Sequence, residues 1–193
     1  MEVNTSMKKR QKNIHSGGFT LIETLISIGI IAGVGVLIAQ VFFSTTRVNT
    51  KTELLKDVKQ NGQYAMEVMS RMIRNSINIE STCATDGTTS TSLNVKNPNG
   101  NVTTLGCSLD NGAMRIASTS ATNATPEYLT SSNVTLGGSA CDDEAMTLSF
   151  LCSSYVDQAP EVTVSFSMSQ KGTPPDQFEK ASVLFKTTVS PRY

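Results

Sequence analysis

The sequence predicts an α+β protein: a long N-terminal α-helix, membrane-spanning in its first half, packed against a C-terminal antiparallel β-sheet head. Three observations carry the prediction. Residues 24–46 form 23 consecutive uncharged positions between Glu23 and Arg47. Apolar residues then recur at helical spacing as far as Ile77. Beyond Glu80 the texture changes: 34 of the side chains in 81–193 are Ser or Thr, which favour extended and turn structure over helix. The organisation that follows is a basic leader (1–18), an apolar helix (19–46), its amphipathic continuation (47–79) and a β-rich head (80–193). With 193 residues, the chain is expected to hold one domain plus an anchor.

As a helix, the uncharged run measures about 35 Å, against about 30 Å for a bilayer core. Ahead of it, Lys8, Lys9, Arg10 and Lys12 face only Glu2. The positive-inside rule keeps that leader cytoplasmic and sends the remainder outward. A removable secretory signal has about 7–15 apolar residues followed by a small-x-small site. Here the run is longer, "AQVFFSTTR" offers no such site, and no cysteine follows to carry a lipid. The small residues Gly17 and Gly18 come before the run instead, so the pattern predicts cutting on the cytoplasmic side with the apolar segment retained. Within the run, Gly29-x-x-x-Gly33, with Gly35 beyond, has the spacing of close helix contact.

"GGFTLIETLISIGIIAGVGVLIAQ", following a short basic leader, resembles the N-terminus of type IV prepilins and of the pseudopilins of type II secretion. That resemblance implies cleavage by a membrane prepilin peptidase between Gly18 and Phe19, N-methylation of Phe19, and an assembly role for Glu23. The match to G-F-T-L-I-E is complete. "VMSRMIRNSI" and "FKTTVSPRY" are similar to segments of PilW-like minor pilins and J-type pseudopilins. The family's mid-helix proline is absent. The resemblance implies a structural minor subunit of a type IV pilus or type II secretion filament. Its partners would be the peptidase, other pilin or pseudopilin subunits, the inner-membrane assembly machinery, and membrane lipid before assembly. The protein would first be a single-pass inner-membrane protein with its head outside, then part of a periplasmic or cell-surface filament.

Physical chemistry gives Glu23 a purpose. A carboxylate facing lipid costs on the order of 3 kcal/mol on insertion scales. Cleavage after Gly18 creates a compensating cation, the α-amine of Phe19. The acid also lies near the positive end of the helix dipole. Between neighbouring subunits, Glu23 of one and the amine of another would set the axial stagger.

Past Arg47, the stripe Leu54, Leu55, Val58, Ala65, Met69, Met72, Ile73 and Ile77 predicts that one helix continues to about residue 79, roughly 90 Å from Phe19. Gly62 interrupts the stripe and argues against a coiled coil. In the head, "TSLNVKNPNGNVTTL" places two extended runs around the turn Asn97-Pro98-Asn99-Gly100. Met114 and Ile116 mark another strand. Alternation at Met146, Leu148, Phe150 and Cys152, at Val162, Val164, Phe166 and Met168, and at Val183, Phe185, Thr187 and Val189 marks three more. One antiparallel sheet laid on the second half of the helix is the expected architecture. "SSYVDQAP" and "KGTPPDQ" read as loops.

Charge and composition narrow the function classes. From Glu80 onward there are 6 basic and 11 acidic residues, the wrong sign for wrapping a phosphate backbone, so no nucleic acid is expected. The sole histidine, His15, lies in the leader, leaving the exported part without an imidazole base or metal ligand. An enzyme is therefore not expected, nor any cofactor. "CDDEA" gathers Asp142, Asp143 and Glu144, but three consecutive acids rarely converge on one ion, and no metal is expected. Cys83, Cys107, Cys141 and Cys152 contain no C-x-x-C pair and, in an exported segment, predict disulfides with three connectivities open. The sequence-local pairs Cys83–Cys107 and Cys141–Cys152 are preferred. The competing function is a single-pass, membrane-anchored extracytoplasmic binding domain with an uncleaved helix.

Overall fold

The computed structural model describes residues 18–80, 87, 89–153, 160–172 and 181–192. Residues 1–17 of the leader, His15 and Gly17 among them, lie outside these, as do Cys83 and the loop positions 154–159 and 173–177. The chain divides into two compact units, the first ending at Thr45 and the second beginning at Thr46.

Helix α1 runs Leu21–Arg74, 54 residues, with Glu23 in its first turn and Arg71 and Arg74 in its last. Both placements complement the helix dipole. In the first unit every described residue is exposed, from Phe19 and Leu21 to Phe42 and Phe43. This stretch is long and apolar enough to cross a membrane. The glycines at 29, 33 and 35 have open space around them.

In the second unit the helix becomes one-sided. Val58, Gly62, Ala65, Met69 and Ile73 are buried, at the three-and-four spacing of one helical face. The helix stops five residues before the expected end. Asn75 still donates to the Arg71 carbonyl, but Ser76 turns back onto Ile73, with N–H at 3.2 Å and Oγ at 2.7 Å from its carbonyl. Ile77, apolar yet half exposed, then starts pairing with the sheet through its N–H to Lys96 O at 2.9 Å. A buried serine that bonds locally to the backbone competes with helix continuation.

Two antiparallel sheets follow, where one was expected. The strands are β1 (Asn78–Glu80), β2 (Thr89–Ser90), β3 (Leu93–Lys96), β4 (Val102–Asp110), β5 (Ala113–Ser120), β6 (Asn123–Tyr128), β7 (Val134–Thr135), β8 (Ser149–Ser153), β9 (Glu161–Gln170) and β10 (Ser182–Val189). The first sheet has the order β1-β3-β4-β5-β6 and the second β10-β9-β8-β2, with β7 pairing β9. The Asn97–Gly100 turn joins β3 to β4. It is closed by Asn97 N–H to Asn101 O and Gly100 N–H to Asn97 O, with Gly100 at φ +84°. A left-handed backbone there favours glycine.

The alternations read as strands hold. Phe150 and Cys152 on β8, Val162, Val164, Phe166 and Met168 on β9, and Val189 on β10 are all buried. β8 itself begins only at Ser149, although Met146 and Leu148 ahead of it are buried too. The segment 129–136 ties the two sheets together. Leu129 and Leu136 donate to Ile116 and Met114 carbonyls on β5, while Val134 and Thr135 pair with Gln170 and Ser169 on β9. One buried cluster draws side chains from α1, both sheets and this segment.

Cysteine pairing corrects the expectation. Cys107 on β4 is bonded to Cys141 in the loop between β7 and β8, with Cα atoms 5.6 Å apart. Both sequence-local pairs are thereby excluded. Met114 lies in sulfur contact with this bridge, 3.7 Å from Cys107 and 3.8 Å from Cys141. Cys152 is disulfide-bonded as well. The antiparallel pairing of β4 with β5, and the Leu136 N–H bond to the Met114 carbonyl of β5 ahead of Cys141, bring together cysteines with a sequence separation of 34.

Candidate functional site

The residues singled out for processing and assembly stand at the start of α1. Gly18, Phe19 and Thr20 precede the helix in irregular backbone, and all three are exposed, Phe19 by 79 %. The Gly18–Phe19 peptide bond thus lies in irregular, exposed chain just ahead of the first turn. Thr20 is the N-cap: its Oγ1 accepts the Glu23 N–H at 3.4 Å, and its carbonyl accepts the Thr24 N–H at 3.1 Å. Thr20 and Glu23 together form the S/T-x-x-E pattern of a capping box. Sequence reasoning passed over Thr20, although that three-residue spacing was the available signal. The Glu23 carboxylate is exposed and makes no ion pair with a described residue. Its main chain is engaged, with Ser27 Oγ donating to the Glu23 carbonyl at 2.7 Å.

In the second unit, the acids of "CDDEA" do not converge. Asp143 closes its own loop. One carboxylate oxygen accepts the Ser139 N–H (2.8 Å) and hydroxyl (3.0 Å), and the other accepts the Ala145 N–H (3.0 Å). These bonds, the one from the Ala145 backbone foremost, hold the Asp143 carboxyl below its usual range. Among the described residues, no group of three potential ligands could hold a metal ion.

Two further polar arrangements had no sequence signal. Arg115 on β5 pairs with Asp110, donates to the Thr130 carbonyl and lies 4.1 Å from the Tyr128 ring centre, pinning β6 and the segment after it. Alongside α1, a groove of about 500 Å³ is lined by Leu54, Asp57, Val58, Asn111, Gln170 and Lys171, among others. Asn61, one turn on from Asp57, ties the helix to the segment after β6: its Nδ2 donates to Asp57 Oδ1 (3.0 Å) and its Oδ1 accepts the Ser131 N–H (2.7 Å).

Comparison with protein-family models, curated proteins and solved structures finds no match to this chain.

Proposed function

We propose that the protein is a structural subunit, a minor pilin or pseudopilin, of a type IV pilus or type II secretion filament. It is made as a membrane precursor, cut by prepilin peptidase between Gly18 and Phe19, N-methylated on Phe19, and inserted into the filament through residues 19–46. One observation carries the reading. A single helix is bare and apolar through its first unit, then seats one face in the core of a β-rich second unit. An apolar helix exposed all round needs lipid or other helices as its surroundings. That such a helix begins with G-F-T-L-I-E adds specificity that bare apolarity lacks. The uncovered Gly18–Phe19 bond suits a peptidase, and an acid with no ion pair among the described residues suits a partner from another subunit.

The groove beside Asp57 favours a second reading, a single-pass anchored binding domain whose helix is never cut. Intact-mass analysis and N-terminal sequencing of protein extracted from its own cells separate the two. A chain beginning at N-methylated Phe19 is the expected result. Persistence of the leader in mature protein overturns the filament reading.

A further inference from the structure

The outermost strand of the second sheet, β10, has an open edge. Even-numbered residues of β9 face it: the Gln170 N–H bonds to the Ala181 carbonyl. Odd-numbered ones face the other way, as Ser167 shows by giving its N–H and carbonyl to the Thr147 hydroxyl. With Val183 opposite Met168 and Phe185 opposite Phe166, the odd-numbered residues of β10 spend their backbone groups on β9. The N–H and carbonyl groups of Ser182, Leu184, Lys186 and Thr188 therefore point away from the sheet, without a partner among the described residues. All of these side chains are exposed. Leu184, at 70 %, is the most exposed large apolar residue described in the second unit. On the inner face, Val183, Phe185 and Thr187 are half buried, whereas Val164, Phe166 and Met168 of β9 are sealed. The flank beyond β10 is open.

The other ends of the two sheets are blunted in the ways that keep edges from pairing. Strand β1 has 3 residues and β2 has 2. Strand β6 carries Pro126 and an irregular register against β5. Strand β10 has 8 residues, no proline and an unbroken register. A row of outward N–H and carbonyl groups at every second residue is complemented by the backbone of another extended chain. We propose that the free edge of β10 takes up an extended strand of a neighbouring polypeptide, antiparallel to it, with an acidic residue opposite Lys186. Antiparallel pairing continues the pattern of the sheet and is the stronger form. Val183 and Phe185 call for apolar residues on the inner side of the added strand. Lys186, exposed and without an ion pair among the described residues, calls for an acid across from it. A second copy of β10 is not that strand. β10 begins level with Leu54 and Val58, which share a groove with Gln170, and beyond its end the Arg192 N–H meets the Arg74 carbonyl. It runs the way α1 runs, so two β10 strands paired antiparallel would set two α1 helices pointing in opposite directions. Copies whose apolar helices enter one membrane from the same side cannot meet in that way.

The inference concerns the second unit and holds whether or not the leader is removed. Its test uses the full chain in detergent micelles. The probe is the capped peptide TVTVEVTVT, its valine nitrogens methylated so that one pairing edge remains; the comparator has lysine in place of glutamate. Residue-resolved amide exchange is the readout. In the chain alone, the Leu184, Lys186 and Thr188 amides should exchange freely while those of Val183, Phe185 and Thr187 are protected. Saturating probe should slow the first set by about tenfold or more and leave the second nearly unchanged. The lysine comparator should bind several-fold more weakly. Lys186→Pro removes an outward N–H and none that reaches β9, so it should abolish the effect while keeping the fold. Lys186→Met should keep the protection and lose the preference between the two peptides. The proposal is overturned by outward amides already protected in the chain alone, whether by its own residues or by concentration-dependent pairing of copies. Absence of protection at saturating probe, equal binding of the two peptides, or undiminished binding by folded Lys186→Pro protein overturns it too.

Discussion

The ring of Phe185 on β10 occupies the space where a side chain at Gly62 of α1 would begin. A Cβ built on Gly62 would lie 2.2 Å from Cε2 and Cζ of that ring. Phe185 is held in turn by Phe166 on β9, with ring centres 5.1 Å apart and planes 25° from parallel. Strand β10 can therefore close on the helix only where the helix has no side chain.

Gly62→Ala tests that relationship against helix propensity. In an exposed helix the change gains about 1 kcal/mol. Here it overpacks a seated ring, a fault that costs typically about 1–3 kcal/mol. The expected result is a lower midpoint in thermal or urea unfolding. Pairing it with Phe185→Leu should recover part of the loss, giving a measurable coupling in a double-mutant cycle.

The Cys107–Cys141 bridge closes a stretch with a sequence separation of 34. Replacing both cysteines by serine should destabilise the second unit by about 2–4 kcal/mol. The Cys107→Ser, Cys141→Ser variant compared with the parent in urea, without reductant, reads this directly.

Asp143 makes a prediction in pH. Its folded pKa is depressed, so the stabilisation it gives its loop is present above the unfolded value and is lost as pH falls through the folded one. Amide protection at Ser139 and Ala145, taken relative to the intrinsic exchange rate at each pH, should fall below about pH 4. In Asp143→Asn, whose side chain does not titrate, that local dependence should disappear.

Two changes at the start of α1 separate folding from assembly. Thr20→Ala removes the N-cap, worth about 1 kcal/mol, and should fray the first turn without altering the second unit, seen as faster amide exchange at Glu23 and Thr24. Glu23→Val should leave membrane insertion intact and impair joining to other subunits. Normal incorporation of Glu23→Val protein into filaments, measured by quantitative immunoblot, would contradict the electrostatic role proposed for the acid.

How much of this was legible depended on whether the signal was local. The buried face of α1 could be read from Val58, Ala65, Met69 and Ile73, because helical spacing is a short-range pattern. Strand β9 was equally open, since Val162, Val164, Phe166 and Met168 alternate without a break. Gly62 was read only as an interruption; its purpose depends on Phe185, far along the chain. Division into two sheets was hidden for the same reason, because period-two alternation says which side of a strand is buried but not which strand lies beside it. The disulfide followed the pairing of β4 with β5 rather than proximity in sequence. At the candidate site, Gly18, Phe19 and Glu23 were marked by a motif. Asp57 and Gln170, brought together only by the fold, were marked by nothing.

The covering of α1 by residues from β9 and β10 has a consequence for biogenesis. A ribosome makes the greasy stripe from Val58 to Ile73 about a hundred positions before the strands that will shelter it. Even the Arg74 carbonyl waits for its donor, the Arg192 amide 3.1 Å away. Throughout that interval the nascent chain displays sticky surface with no native lid, which is when a holding chaperone has most to offer.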